Sequence, residues 1–367
     1  MKAALFNIVP YLGEAERGMW PVPARTYSSE VGRHSMELAL EQYELADELG
    51  FDWVTLAEHH FAPLSLSPNP MVMAGAVTQR VRRAKIALLG ATIPILNPVR
   101  VAEEFAMLDT LTNGRVVAGM LRGTANEYVT YDVNPAESRA RFEEAMELII
   151  RAWTEPQPFG WQGRHFRFRT VSIWPRPVQQ PHPPIYMSGS SPEAGEFAAR
   201  HRVSIGFAFT TLPLARAAAG HYRRCAAACG WEPAPDDVLY RVTAHVAGSD
   251  EEALEDLRTA GADAPRRGFS TSNRPLDDAA AGAGYYGRDT AAQRGRIDAQ
   301  SRPMLERIEQ GQLLAGSPDT VLAQARRIRE ELGAGILEVV FAHVPREKSL
   351  RAIELFGTGV LPRLRDL

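Results

Sequence analysis

Three side chains that can bind or transfer protons follow one another at the end of a strand-like run: Glu58, His59 and His60. The apolar residues 53–57 precede them, and Pro63 and Pro68 make the following segment irregular. The carboxyl ends of parallel strands carry the chemistry of α/β enzymes, because the sheet holds the side chains rigidly at the mouth of a crevice. An imidazole that titrates near neutral pH suits general acid–base catalysis. The alternative is that both histidines only cap the strand through hydrogen bonds.

A second group of residues suits a phosphate. Gly189, Ser190 and Ser191 precede a predicted helix at residues 193–200, and the first N–H groups of a helix are unpaired and lie at its positive end. Arg122, at the end of a predicted strand, can donate two hydrogen bonds to one phosphate. Alone, the serines would only cap the helix and the arginine would form a surface ion pair. Together, at one end of the same fold, they indicate a phosphate-bearing cofactor.

Other chemistries find little support in the sequence. Glu58, His59 and His60 are contiguous, whereas a helical zinc pair needs histidines four residues apart, so we expect no metal site. No G-x-S-x-G nucleophile elbow occurs. A G-x-G-x-x-G pattern occurs at residues 282–287, but it follows no predicted strand and therefore does not indicate a dinucleotide site.

The elements that must position these residues alternate along the chain. Strands are predicted at residues 3–9, 53–57, 85–93, 116–121, 185–188, 204–209, 238–246 and 336–341. Helices are predicted at residues 33–49, 69–82, 99–111, 137–154, 193–200, 214–229 and 348–356. This alternation predicts an α/β fold, a (β/α)8 TIM barrel, in one domain over residues 1–367. Two segments depart from it: residues 159–174 predict a β-hairpin insertion after the helix 137–154, and residues 261–296 predict a mobile lid.

Composition narrows the setting. The net charge of -3 and the absence of a Lys/Arg-rich run argue against an electrostatic nucleic-acid binder. There is no apolar run of about 18 residues and no signal-peptide pattern, so we expect no membrane span. The two cysteines, Cys225 and Cys229, lie on one predicted helix face, where we expect small core residues rather than a bridge. A cytoplasmic protein is the expectation.

Several stretches together resemble the bacterial-luciferase-like flavin monooxygenase family. They are GFDWVTLAEHHF, SPNP, LNPVRVAEEFAMLDTLTNGR, MLRGTANEY, NPAESRARF and IYMSGSSPEAGEFAA, in family order, with GAGILEVVF near the end. The resemblance implies a barrel that binds reduced flavin mononucleotide (FMN), or in some branches a reduced deazaflavin. It implies that His59 is catalytic and that Arg122, Ser190 and Ser191 bind the phosphate, with Gly189 in the same turn. Ser190 replaces a glutamate of the luciferase α-subunit. Leu89, Gly90 and Ala91 match a flavin-bearing span with a non-proline cis peptide.

The resemblance also implies a mechanism and partners. Reduced FMN, supplied by a separate flavin reductase, reacts with O2 to give a flavin 4a-hydroperoxide, which transfers one oxygen atom to a small organic substrate. The predicted lid would exclude water. Family barrels pair through helices near residues 69–82 and 99–111, so we expect a homodimer. The substrate pocket is predicted to contain Phe6, Glu58, Phe61, Tyr128, Trp174 and Phe207, although the aromatic members could equally be ordinary core.

Alternative functions stay open at this point. A deazaflavin-dependent dehydrogenase or reductase would use the same barrel, a non-catalytic subunit would bind flavin without reacting, and an unrelated barrel hydrolase would bind no flavin. Neither the substrate nor the choice between hydroxylation, aldehyde oxidation, N-oxidation and Baeyer–Villiger insertion can be derived from these residues.

Overall fold

A closed barrel of parallel strands forms the centre of the molecule, for which a computed structural model describes residues 1–16, 19–261 and 302–367. The strands of the described part are β1 (Lys2–Asn7), β2 (Trp53–Leu56), β3 (Lys85–Thr92), β4 (Val116–Leu121), β5 (Phe159–Gln162), β6 (Arg167–Val171), β7 (Ile185–Ser188), β8 (Ser204–Phe207), β9 (Val238–Val246), β10 (Leu313–Gly316) and β11 (Ile336–Phe341). Eight of them pair in the order β1-β2-β3-β4-β7-β8-β9-β11, and β11 pairs back to β1. The predicted (β/α)8 barrel is confirmed.

Helices surround this barrel. Those in the described residues are α1 (Ser29–Leu49), α2 (Pro70–Val77), α3 (Pro98–Thr112), α4 (Ala125–Thr130), α5 (Ser138–Thr154), α6 (Pro192–His201), α7 (Leu212–Ala228), α8 (Asp250–Thr259), α9 (Met304–Glu309), α10 (Pro318–Leu332), α11 (Arg346–Leu355) and α12 (Leu361–Leu364). None of the described helices is long and apolar enough to cross a membrane.

Several helices begin in the same way, directly after the carboxyl end of a strand or its loop. Asn69, Asn97 and Ser191 each accept a hydrogen bond from the backbone of the first helical turn, and each is followed by proline. A side-chain acceptor satisfies N–H groups that have no partner within the helix, and proline there lacks the N–H that would need one. Short polar side chains thus begin the helices at the end of the barrel where the predicted site residues lie.

The inside of the barrel is closed below this end by an apolar layer. Its buried side chains come from seven of the eight barrel strands: Ala4, Trp53, Ala87, Leu89, Val117, Tyr186, Leu239 and Ile336. A larger apolar core lies between the outer faces of the strands and the helices. Strand residues therefore alternate between these two cores, which determines which of them can face the mouth.

Two predicted insertions have different outcomes. The hairpin is confirmed as the antiparallel pair β5–β6, held to α5 by the carboxylate of Glu144, which accepts hydrogen bonds from Trp161 Nε1 and the backbone N–H groups of His165 and Phe166. The predicted lid at residues 261–296 lies, except for Gly261, outside the described residues.

The expectation for the cysteines was wrong in one case: Cys229 is exposed beyond the last turn of α7, and Cys225 is half-buried.

Candidate active site

His59 lies in the loop after β2 and contacts a carboxylate from a different loop. Its Nδ1 is 3.2 Å from Oε1 of Glu127, which lies on α4 in the segment that follows β4. The imidazole is 23% exposed, whereas the Glu127 side chain is 2% exposed. Because β2 and β4 flank β3, this contact bridges the carboxyl end of β3. The two residues form a partly accessible histidine supported by a buried carboxylate.

Glu127 is ionised in this arrangement. Burial opposes its charge, but hydrogen bonds from His59 and from the Thr124 backbone and hydroxyl outweigh that effect, so the pKa of Glu127 lies below its ordinary value. An ionised carboxylate only accepts hydrogen bonds, so the hydrogen of a neutral His59 imidazole lies on Nδ1 and the lone pair on Nε2. The contact with Glu127 thus favours one tautomer of the neutral imidazole.

His60, the neighbour of His59, contacts a different carboxylate and is more deeply buried. Its Nε2 is 3.1 Å from Oε1 of Glu58, and both side chains are buried. The other oxygen of Glu58 accepts a hydrogen bond from the backbone N–H of Thr92. Glu58 therefore ties the end of β2 to the end of β3. It lines a crevice between the first turns of α2 and α3 rather than contacting His59.

The predicted phosphate-binding residues directly follow two neighbouring strands, at the same end of the barrel as His59. Arg122 follows β4, and the turn of Gly189, Ser190 and Ser191 follows β7, the next strand in the barrel. The Arg122 guanidinium donates to Ser138 Oγ at the start of α5 (3.4 Å), and the next residue, Arg139, lies 3.8 Å from Glu193 in the first turn of α6. Ser191 caps α6 by accepting from Ala194 N, so the capping interpretation holds for Ser191.

Leu89, Gly90 and Ala91 form a bulge in β3. Leu88 pairs with Ala118 but Ala91 pairs with Met120, so β3 contains one more residue than β4 between these pairs. The prediction of a non-proline cis peptide here was wrong, since every cis bond in the described residues precedes a proline. A bulge with trans peptides reshapes the strand without the cost of a cis bond, about 3 kcal/mol.

The predicted pocket walls do not all face the mouth. Phe6 lies inside the barrel with Ile8 and Ala57. Phe61 is 54% exposed in the loop after β2, where its ring stacks on Trp20. These two positions remain compatible with a pocket at the mouth.

Three of the predicted walls were wrong. Phe207 points outward into the helix-packed core, because β8 places the alternate residue Gly206 inside the barrel. Trp174 is 87% exposed, and Arg176, two residues later, donates hydrogen bonds to backbone carbonyls at the end of α5, at the opposite end of the barrel. Tyr128 is buried and its hydroxyl donates to the Arg122 carbonyl, so it supports Arg122 instead of lining a pocket.

Sequence reasoning missed Glu127. Its signal is present, because Thr124 and Glu127 have the T-x-x-E spacing of a capping box, in which the glutamate reaches back to the first residue of a helix. The same oxygen, Oε2, accepts from both the N–H and the hydroxyl of Thr124, which leaves Oε1 for His59. No cluster of metal-binding side chains occurs within the described ranges.

Comparison with known proteins places these features in context. The family model described as luciferase-like monooxygenase matches residues 19–335. The oxygenase component of a flavin-dependent trigonelline monooxygenase from Acinetobacter baylyi is 25% identical over 169 residues, 45% of this chain and 46% of that protein. The chain thus spans about half the length of such curated relatives.

Solved structures match over the whole chain. Monooxygenase RslO1 from Streptomyces bottropensis has 27% identity and a TM-score of 0.76, and the match covers 99% of both chains. The oxygenating constituent of 3,6-diketocamphane monooxygenase from Pseudomonas putida, solved with FMN, has 20% identity and a TM-score of 0.75 over 99% of this chain and 98% of that one. An F420-dependent secondary alcohol dehydrogenase shares the fold with 17% identity and a TM-score of 0.70, over 100% of this chain and 99% of that one.

Proposed function

The chain belongs to the family of luciferase-like monooxygenases, and from this premise we propose that it is the oxygenase of a two-component system. It uses reduced FMN and O2 to oxygenate a small organic substrate. The observation that carries the proposal is the contact between His59 and buried Glu127, at the same end of the barrel as Arg122. In this proposal His59 transfers a proton and Arg122 binds the phosphate. The two residues then lie on either side of the carboxyl end of β3, which contains the bulge.

The residues present fit FMN. Arg122 and the hydroxyls of Ser190 and Ser191 are donors to a phosphate, and the N-terminus of α6 favours an anion. The bulge of Leu89, Gly90 and Ala91 lies between the His59 and Arg122 loops and would support the ring. Bound reduced FMN supplies the electrons that activate O2.

The role of this chain's own residues is to move a proton and to orient the bound molecules. His59 takes up a proton at Nε2, and the ionised Glu127 at Nδ1 compensates the positive charge of the imidazolium. The same imidazole returns the proton later in the cycle. Phe61, which is 54% exposed, offers apolar surface to an organic substrate. A separate flavin reductase is the partner, which agrees with the name of the Acinetobacter relative as an oxygenase component.

The test supplies reduced FMN to the protein under ¹⁸O2, with a panel of aliphatic aldehydes, cyclic ketones and phenols. We expect ¹⁸O in one product class with the unmodified protein. His59→Ala should lower that yield about 100-fold while its dissociation constant for FMN stays within about threefold. His201→Ala, on the outer helix α6, is the control and should behave as the unmodified protein.

Other outcomes contradict the proposal in distinct ways. Hydride exchange with a reduced deazaflavin, without ¹⁸O incorporation, would indicate the dehydrogenase alternative. FMN binding without any product would indicate a non-catalytic subunit. An unchanged ¹⁸O yield in His59→Ala would remove that residue from the mechanism.

A further inference from the structure

Arg241 lies inside the barrel and spans its full width. It belongs to β9, the seventh strand of the ring, and its Nη2 donates to the Leu89 carbonyl oxygen on β3, the third strand, at 3.1 Å. Strands three and seven are diametrically opposite in a ring of eight. The guanidinium therefore crosses above the apolar layer of Trp53, Val117 and Leu239, at the level of the β3 bulge.

Two neighbours fix the plane of this guanidinium. Its Cζ lies 3.6 Å from the centre of the Phe6 ring, a cation–π contact. Its Nε donates to Oε2 of Glu338, which is paired with Arg241 in register on the adjacent strand β11. A guanidinium held in this way presents its remaining N–H groups in one fixed plane.

Stabilisation of the fold does not explain the ion pair between Arg241 and Glu338. Glu338 is completely buried, and its Oε1 accepts no hydrogen bond from the described residues. Burying two charges costs desolvation that apolar residues of the same size would avoid, so such a pair is weak evidence for a stabilising role. A buried polar atom without a hydrogen-bond partner needs an explanation other than stability, and ligand recognition at the adjacent barrel mouth provides one.

The accessible part of the pair is the arginine. Its side chain is 9% exposed, whereas that of Glu338 is 0% exposed. Since the apolar layer closes the barrel below, the exposed edge faces the mouth. Of the five N–H donors of a guanidinium, the described residues engage one on Nε and one on Nη2. The other donors suit carbonyl oxygens of a planar molecule bound above.

We propose that Arg241 is a ligand-binding residue that donates hydrogen bonds to the carbonyl-bearing edge of a planar ring, and that Glu338 is its positioning residue. This rests on the proposed function, in which the ring is the isoalloxazine of FMN, whose pyrimidine part carries two carbonyl groups. Hydrogen bonds and charge at this edge tune the electronics of a flavin. Arg241 thereby contributes to cofactor affinity and not only to the barrel interior.

The test compares FMN with 2-thio-FMN and 4-thio-FMN, in which sulfur, a weak acceptor, replaces one carbonyl oxygen. Dissociation constants are measured by fluorescence or absorbance titration of the full chain. We expect the unmodified protein to bind at least one thio analogue about tenfold more weakly than FMN. Arg241→Met should weaken FMN binding by a similar factor, lose this discrimination and shift the visible absorption of bound FMN.

The control is Arg115→Met, since Arg115 donates to backbone carbonyls of Ala84 and Val81 at the opposite end of the barrel. It should keep the unmodified protein's discrimination. Arg241→Lys, which retains the charge beside Glu338 but not the planar fork, replaces Arg241→Met if that variant does not fold.

Two results overturn the inference alone: equal binding of FMN and both analogues by the unmodified protein, or the same discrimination in the Arg241 variant. A protein that binds no FMN in either redox state contradicts the proposed function itself. The two failures are therefore distinguishable.

Discussion

Glu127 favours one tautomer of the His59 imidazole, so its replacement tests the proposed pair without removing the histidine. In Glu127→Gln the side-chain shape is kept but the negative charge beside Nδ1 is lost. We expect product formation to fall about tenfold or more, with a changed pH–rate profile and an unchanged dissociation constant for FMN. Glu104→Gln, on the outer helix α3, is the control. An unaltered pH–rate profile would contradict the positioning role.

The lowered pKa of Glu127 also predicts a stability effect at acidic pH. A carboxyl whose pKa is lower in the folded state than in the unfolded chain stabilises the fold above its unfolded pKa, about 4.3 for glutamate. This contribution is lost as the pH falls through the folded pKa. Thermal unfolding measured from pH 7 to pH 3 should show a smaller loss in Glu127→Gln than in the unmodified protein. An identical loss in both would contradict the assignment.

At the residue scale, the positions of His59 and Arg122 after the ends of β2 and β4 could be predicted from the sequence, whereas the orientations of several pocket walls could not. Both positions are recognisable because a polar residue directly after an apolar strand marks the carboxyl end of that strand, where the sites of α/β folds lie. The predicted pocket positions of Phe207 and Trp174 were wrong because the aromatic residue type does not indicate whether a side chain faces the barrel interior, the helices or the solvent. That choice depends on strand alternation and on the path of the hairpin, both of which are three-dimensional properties.

The β3–β4 pair depends on a glycine at the bulge. A Cβ on Gly119 would overlap the Leu88 carbonyl oxygen, whereas a Cβ on Gly206, another interior glycine of the barrel, would meet Leu239 at an ordinary 3.6 Å. Gly119→Ala should therefore lower the free energy of unfolding by about 1–3 kcal/mol and weaken FMN binding. Gly206→Ala is the matched control. Urea unfolding gives the free energy of unfolding of each variant. Equal values for Gly119→Ala and Gly206→Ala would contradict this role of the bulge.

At the element scale, helices with an Asn-Pro or Ser-Pro start were predictable because the cap and the proline act locally. The same signal marks α10, where Ser317 and Pro318 precede an amphipathic run that ends at Gly333, yet this helix was not predicted. Strand β10 was also missed. It is recognisable only through its pairing with β9.

At the scale of the whole molecule, α2 and α3 leave an apolar surface uncovered, the α2–α3 face (Val72, Met107 and Leu111). These side chains are 73%, 50% and 60% exposed, and exposed apolar side chains on neighbouring helices are candidates for a protein interface. The expected homodimer would cover it. The double variant Val72→Asp/Leu111→Asp should be monomeric at micromolar concentration, as measured by sedimentation.

The control is Leu214→Asp, an exposed apolar position on α7, which should not change the mass. A monomeric unmodified protein would contradict the homodimer. So would an equal effect of the control.

The most direct test of the barrel mouth as a flavin phosphate site beside His59 is a titration with FMN and with riboflavin, which lacks the phosphate. The unmodified protein and His59→Ala should both prefer FMN by about tenfold or more, and Arg122→Met should lose most of that preference. Equal affinity of the unmodified protein for FMN and riboflavin, or an undiminished preference in Arg122→Met, would contradict it.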